Sequence, residues 1–115
     1  MSDSMNQWDV VKVRINPNDR DEHPAVIISP REICADEKKR RINVLFGSSR
    51  RPADAITPFE VQLNGSEGLE RATLFDCSQI FMVEKAKVSG RYGTVGVERR
   101  RQMGRKLIAT FRIPI

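Results

Sequence analysis

This chain of 115 residues holds one histidine, two cysteines and seven aromatic side chains, so it is poor in the residue types that usually carry metal, thiol or stacking chemistry. Each scarcity closes a route. A single histidine, His23, excludes the histidine-rich zinc motifs. Cys34 and Cys77 stand apart and form no CxxC pair. That leaves zinc without ligands and points to a reducing compartment in which both thiols are buried and inert. There is no GxxxxGK[ST] phosphate loop and no GxSxG elbow. The glycines of "GRYGTVG" follow no strand–helix dinucleotide pattern and read as a turn. The aromatics are scattered, not gathered on one strand as a stacking RNA-binding sheet requires. No apolar run approaches the length of a membrane span, and the polar start "MSDSMNQ" has no secretory h-region. The expectation is a cytoplasmic protein with no metal, no cofactor and no membrane partner.

Charge, by contrast, is plentiful. Charged residues make up 30% of the chain, the net charge is +5 and the pI is near 9.7. The cations cluster at Lys38 to Arg41, at Arg50 and Arg51, and from Arg99 through Arg101 to Arg105 and Lys106. Clustered Lys and Arg are what phosphate contacts need, although any one cluster alone reads as a solvated face. The length allows one domain, expected to span residues 1–115.

Apolar periodicity places the elements. "WDVVKVRI" alternates as a half-buried strand. "AVIIS" (Ala25 to Ser29) is continuous and β-branched, which suits a strand buried on both sides. "INVLF" (Ile42 to Phe46) is a third strand and "FEVQL" (Phe59 to Leu63) a fourth. "ATLFDCSQIFMV" (Ala72 to Val83) is a long extended segment with a break near Asp76 to Ser78, and "SGRYG" a turn with a short strand after it. From Val97 to Phe111, Met103, Leu107, Ile108 and Phe111 share one helical face, and Met103, Leu107 and Phe111 are expected to be buried. The fold class is mainly β with one C-terminal α-helix, a small bent sheet closing toward a barrel.

One chemistry fits this inventory without metal or cofactor. The 2′-hydroxyl of RNA can itself attack the neighbouring phosphorus. The protein then needs only a base, an acid and donors for the growing phosphoryl charge. His23 stands at a loop–strand junction, and Ser48 and Ser49 end the third strand, followed at once by Arg50 and Arg51. Pairing of the second and third strands would bring both junctions to one end of the sheet. The plainer reading of His23, a loop imidazole bonded to Glu22 or to backbone, stays open at this level.

In their order along the chain these segments resemble the PemK/MazF family of toxins from bacterial type II toxin–antitoxin systems. "WDVVKVRINP" is similar to that family's opening G-[DE]-[IV]-x-x-V strand, and "HPAVIIS" to its [RH]-R-P-[AV]-[LV]-[VI]-[LIV]-[ST] signature. "VLFGSS" matches a V-x-x-x-T-[ST] strand end. "PFEVQLNGSEGLERATLFDCSQIFMVEK" resembles the segment P-[FY]-x-V-x-L…G-L…L-x-D-Q-[IV]-[RK], and "GTVGVERRRQMGRKLIATF" the final strand and helix. The resemblance implies an SH3-like barrel of the PemK/MazF/CcdB type, a homodimer, metal-independent cleavage of single-stranded mRNA, and a cognate antitoxin whose disordered acidic tail blocks the RNA groove. Carried over residue by residue, it implies His23, Ser48 and Arg20 as catalytic groups. It implies Ser49, Arg50, Arg51, Asp76, Ser78 and Gln79 as RNA-binding groups. His23 stands where the family has arginine. Asp76 and Ser78 flank Cys77 where some members carry arginine and aspartate. The alternative from another class is a barrel that cleaves nothing and instead binds nucleic acid or poisons a protein target such as DNA gyrase.

Overall fold

The computed structural model describes residues 4–15, 18, 22–49 and 56–115. Seven strands and two helices follow in the order β1 (Asp9–Val13), β2 (His23–Ile27), α1 (Arg31–Ala35), β3 (Arg41–Ser48), β4 (Glu60–Leu63), β5 (Thr73–Asp76), β6 (Phe81–Glu84), β7 (Val88–Thr94) and α2 (Val97–Thr110). Every strand pair is antiparallel. The path across the sheet is β4-β5-β3-β2-β1-β7, with β6 also paired to β3. Among the described residues β4 and β7 do not pair with each other, so the sheet curls toward a barrel without closing it.

The bend is made on β3. Its first half, Arg41 to Val44, pairs with β6, and its last two residues, Gly47 and Ser48, pair with β5. One edge thus serves two partners in succession. Gly47 permits the second: a Cβ there would lie 2.6 Å from Thr73 Cγ2 and 2.7 Å from the Phe75 ring. The expected long segment from Ala72 to Val83 is therefore two strands, broken between Asp76 and Phe81 and pairing with different halves of β3.

Alternation along the central strands feeds two cores, one on each face. Val10, Val26 and Leu45 enter a cluster with Val61, Leu63, Phe75 and Met103. Their neighbours Val11, Ala25, Ile27 and Val44 enter another with Ile42 and Cys34. This is why residues 25–27 read as a continuous apolar run: the strand has no solvent face. Full burial of a side chain the size of Leu45 or Ile27 contributes roughly 1.5–3 kcal/mol. The helix α1 is tied down by the Lys85 ammonium, which donates to the carbonyls of Ile33 at 2.6 Å and Asp36 at 2.9 Å.

Two expectations are corrected. "SGRYG" is no turn but the middle of β7, which pairs along β1 with two interruptions of register. On α2 Met103 is fully buried, Leu107 is half-buried against the same core, and Phe111 is exposed. Phe111 is the C-cap, just past the last helical turn, and belongs to neither core cluster. The helix is held instead at its middle, where the Lys106 ammonium donates to the carbonyls of Pro58 at 2.6 Å and Glu60 at 3.0 Å.

Candidate active site

β2 and β3 pair with Ala25 opposite Phe46 and Ile27 opposite Val44. His23 opens β2 two residues before that pairing begins and Ser48 ends β3 two residues after it, so both lie at one end of the β2–β3 pair. His23, Ser48 and Ser49 do line one open cleft, of about 750 Å³. Arg20, Arg50 and Arg51, expected to steady a phosphate, lie outside the described residues.

The remaining walls come from far along the chain. β7 carries two bulges against β1. Val10 faces Gly93 and Val11 faces Arg91, which leaves Tyr92 extra; Lys12 faces Gly90 and Val13 faces Val88, which leaves Ser89 extra. A bulge re-aims its extra side chain. Tyr92 lines the cleft, with the Lys12 ammonium 5.0 Å above its ring centroid. Cation–π contact of this kind contributes roughly 0.5–1 kcal/mol at partly exposed sites. The Ser89 hydroxyl donates to the carboxylate of Glu22, the residue just before His23. Burial first, then the charges of Glu22 and Glu70, pushes the Tyr92 phenol upward in pKa, so it stays protonated at neutral pH.

The third wall, Leu69 to Arg71 and Thr73, follows a 3₁₀ turn over Gly65–Glu67. The turn is closed by a capping box: Asn64 Oδ1 accepts from Ser66 N at 3.0 Å, and Glu67 Oε1 accepts from Asn64 N at 2.8 Å. It then lies backbone against backbone on β7. A Cβ on Gly68 would fall 2.1 Å from the Tyr92 carbonyl oxygen, and one on Gly93 2.4 Å from that of Glu67. Gly68 also sits at φ +89, the left-handed region that favours glycine.

Asp76, Ser78 and Gln79 lie elsewhere, at the corner between β5 and β6 and outside the cleft lining. Asp76 Oδ1 accepts from both Ser78 N at 2.8 Å and Ser78 Oγ at 2.5 Å. Cys77 between them is fully buried; its N–H donates to Phe59 O at 2.9 Å and its carbonyl accepts from Thr110 Oγ1 at 3.4 Å. Burial pushes the Cys77 thiol up to about 11, against a smaller opposing pull from Lys106, so it is not a nucleophile at neutral pH. Among the described residues no three of His, Cys, Asp and Glu gather as metal ligands.

Solved structures that share this architecture include those of MazF toxins and of endoribonucleases. MazF-mt6 of Mycobacterium tuberculosis superposes with a TM-score of 0.74 at 9% identity, over 93% of this chain and 99% of that one. A MazE–MazF structure from Deinococcus radiodurans gives 0.76 at 13% identity, over 98% and 100% of the two chains. An endoribonuclease in complex with its cognate antitoxin, from a mycobacterial species, gives 0.75 at 13% identity, over 99% of both chains. At these identities the likeness is one of fold. Among curated proteins none matches the chain in sequence. Residues 6–111 match the model of the PemK-like, MazF-like toxins of type II toxin–antitoxin systems, and the chain belongs to that family.

Proposed function

We propose that the chain is an endoribonuclease that cuts single-stranded RNA through the RNA's own 2′-hydroxyl. The observation that carries this reading is the meeting of His23 with Ser48 and Ser49 at one end of the β2–β3 pair, in a cleft open to a nucleotide chain. Neutral His23 takes the proton of the 2′-hydroxyl as its oxygen bonds to phosphorus. The P–O5′ bond breaks, and its electron pair leaves on the 5′-oxygen, which takes a proton from water in the open cleft. A 2′,3′-cyclic phosphate and a 5′-hydroxyl result, and the imidazolium returns its proton to solvent. The Ser48 hydroxyl donates to a non-bridging oxygen as charge grows there.

The test is incubation of the purified protein with single-stranded RNA in EDTA. Fragments ending in cyclic phosphate are expected, and intact RNA would sink the reading. His23→Arg, whose guanidinium stays charged and cannot take the 2′-hydroxyl proton, should lower the cleavage rate sharply, and an unchanged rate would show that His23 is not the base.

The family and the relatives solved with an antitoxin also support a cognate antitoxin as partner. A disordered acidic tail on that partner would suit the net positive charge of the chain. A homodimer is favoured by exposed apolar side chains on β6 and α2, among them Met82 at 64% and Ile108 at 77% exposure, which a second copy would cover. Among the described residues no helix is long and apolar enough to cross a membrane, and the proposed place of action is the cytoplasm, beside messenger RNA. The alternative of a gyrase poison draws no support from the relatives, whose names are those of endoribonucleases and MazF toxins.

A further inference from the structure

Cleavage by a 2′-oxygen leaves one requirement that His23 and Ser48 do not meet. The phosphorane carries extra negative charge on its non-bridging oxygens, and a fixed cation stabilises it more than a hydroxyl does. Among the described residues the cleft offers two permanent cations, Lys12 and Arg71. The Lys12 ammonium is occupied over the Tyr92 ring. No described residue forms an ion pair or hydrogen bond with the Arg71 guanidinium, and the side chain is exposed in the cleft beside Ser48 and Ser49.

The backbone that carries Arg71 is held on both sides. Leu69 is buried in the core before it, and Thr73 is buried after it, its hydroxyl donating to the Arg71 carbonyl at 3.0 Å. Ser48 pairs with Leu74 across the β3–β5 ladder, three residues beyond Arg71. The close seat of Thr73 on Gly47 keeps that ladder tight. A guanidinium on a fixed backbone, with an exposed side chain and unspent donors, suits a phosphate that arrives and departs. Its planar fork can give two parallel N–H donors to two phosphate oxygens, and it stays charged at every pH at which RNA survives.

We propose that Arg71 is a catalytic residue of this cleft, binding the non-bridging oxygens of the scissile phosphate and stabilising the charge that grows on them. The inference rests on the endoribonuclease reading but is separable from it. Arg71 hydrogen-bonds through its guanidinium to no described residue, so its replacement leaves the fold intact.

The experiment uses the full chain, a fluorescently labelled single-stranded RNA, and two readouts. The first is single-turnover cleavage with Arg71→Ala and Arg71→Lys. Arg71→Ala should lower the rate constant about 10²–10³-fold, the usual effect of removing one donor to a developing oxyanion, with the melting temperature unchanged. Arg71→Lys should recover part of that loss, since charge is kept and the fork is not. The second is RNA affinity against salt in the His23→Ala background, where Arg71→Ala should flatten the slope of log K on log salt by about 0.7. If Arg71→Ala cleaves within threefold of the parent and the slope is unchanged, the role of Arg71 is overturned and the nuclease reading stands. If the parent binds RNA with an Arg71-dependent slope but cuts nothing, the nuclease reading falls and Arg71 is a binding group only, which overturns its catalytic assignment. If the parent neither binds nor cuts, both fall.

Discussion

The cleft and the β5–β6 corner are built from similar side chains and differ in what those side chains border. At the corner, Asp76 already accepts two hydrogen bonds from Ser78, and the backbone of Cys77 is engaged by Phe59 on one side and Thr110 on the other. At the cleft, Ser48 and Ser49 stand at the rim of an open volume beside His23 and Arg71. A carboxylate whose acceptor oxygen is engaged inside the protein fixes a turn. Side chains that border an open, nucleotide-sized space are placed to meet a substrate. Residue type alone does not separate the two; position relative to the open volume does.

The comparison is broken most directly in the cleft. His23→Ala should lower the cleavage rate about 10³-fold with little change in stability, since general acid–base groups typically supply 10²–10⁴-fold. The rate on labelled RNA and a urea melt check both halves. Next in size is Gly68→Ala, which places a methyl on the Tyr92 carbonyl and a non-glycine residue at φ +89. It should cost about 3 kcal/mol or more and move the Arg71 wall, whereas Gly65→Ala, with nothing within 4 Å of its Cβ, should cost under about 0.5 kcal/mol. Equal denaturation midpoints for the two would mean that the turn does not rest on β7 in solution.

The corner gives smaller effects. The Cys77 thiol has a folded pKa of about 11 against an ordinary 9.0. A raised folded pKa means that the native state keeps its proton longer than the unfolded chain does. The associated stability is whole below pH 9 and is lost as pH rises from about 9 to about 11. The loss should be about 2 kcal/mol in urea melts, read as the difference in pH slope between the parent and Cys77→Ala. Smallest is Ser78→Ala, which removes the hydroxyl donor to Asp76 and keeps the N–H donor. It should cost about 0.5–1 kcal/mol and leave RNA cleavage at the parent rate, and a large loss of activity would move the corner into the site.

Much of the frame was readable in the chain. The continuous apolar run at residues 25–27 shows its double burial directly, and the placing of His23 and Ser48 at one end of the sheet follows once β2 pairs with β3. β7 is hidden in the sequence because Gly90 and Gly93 carry turn chemistry, and two bulges erase the period of two by which a strand is recognised. Lys12, Arg71 and Tyr92 were passed over for a related reason. They come together through the pairing of β1 with β7 and the resting of a 3₁₀ turn on β7, contacts that no local pattern records. On α2 Met103 is buried and Phe111 is not, because the helix meets the core at its middle and Phe111 is only its C-cap.

Trp8, the only tryptophan, sits at φ 76, and its backbone joins three parts of the fold. Its N–H donates to Ile27 O at 2.7 Å, and its carbonyl accepts from Val95 N at 2.9 Å, at the entry to α2. Its indole packs on the core that also takes in Met103 of that helix, while the cleft's aromatic is Tyr92. The protein therefore carries its own optical gauge of the core on which the C-terminal helix docks, since the indole and Met103 belong to one cluster. A partner that pries the helix loose would shift tryptophan emission, with no label attached.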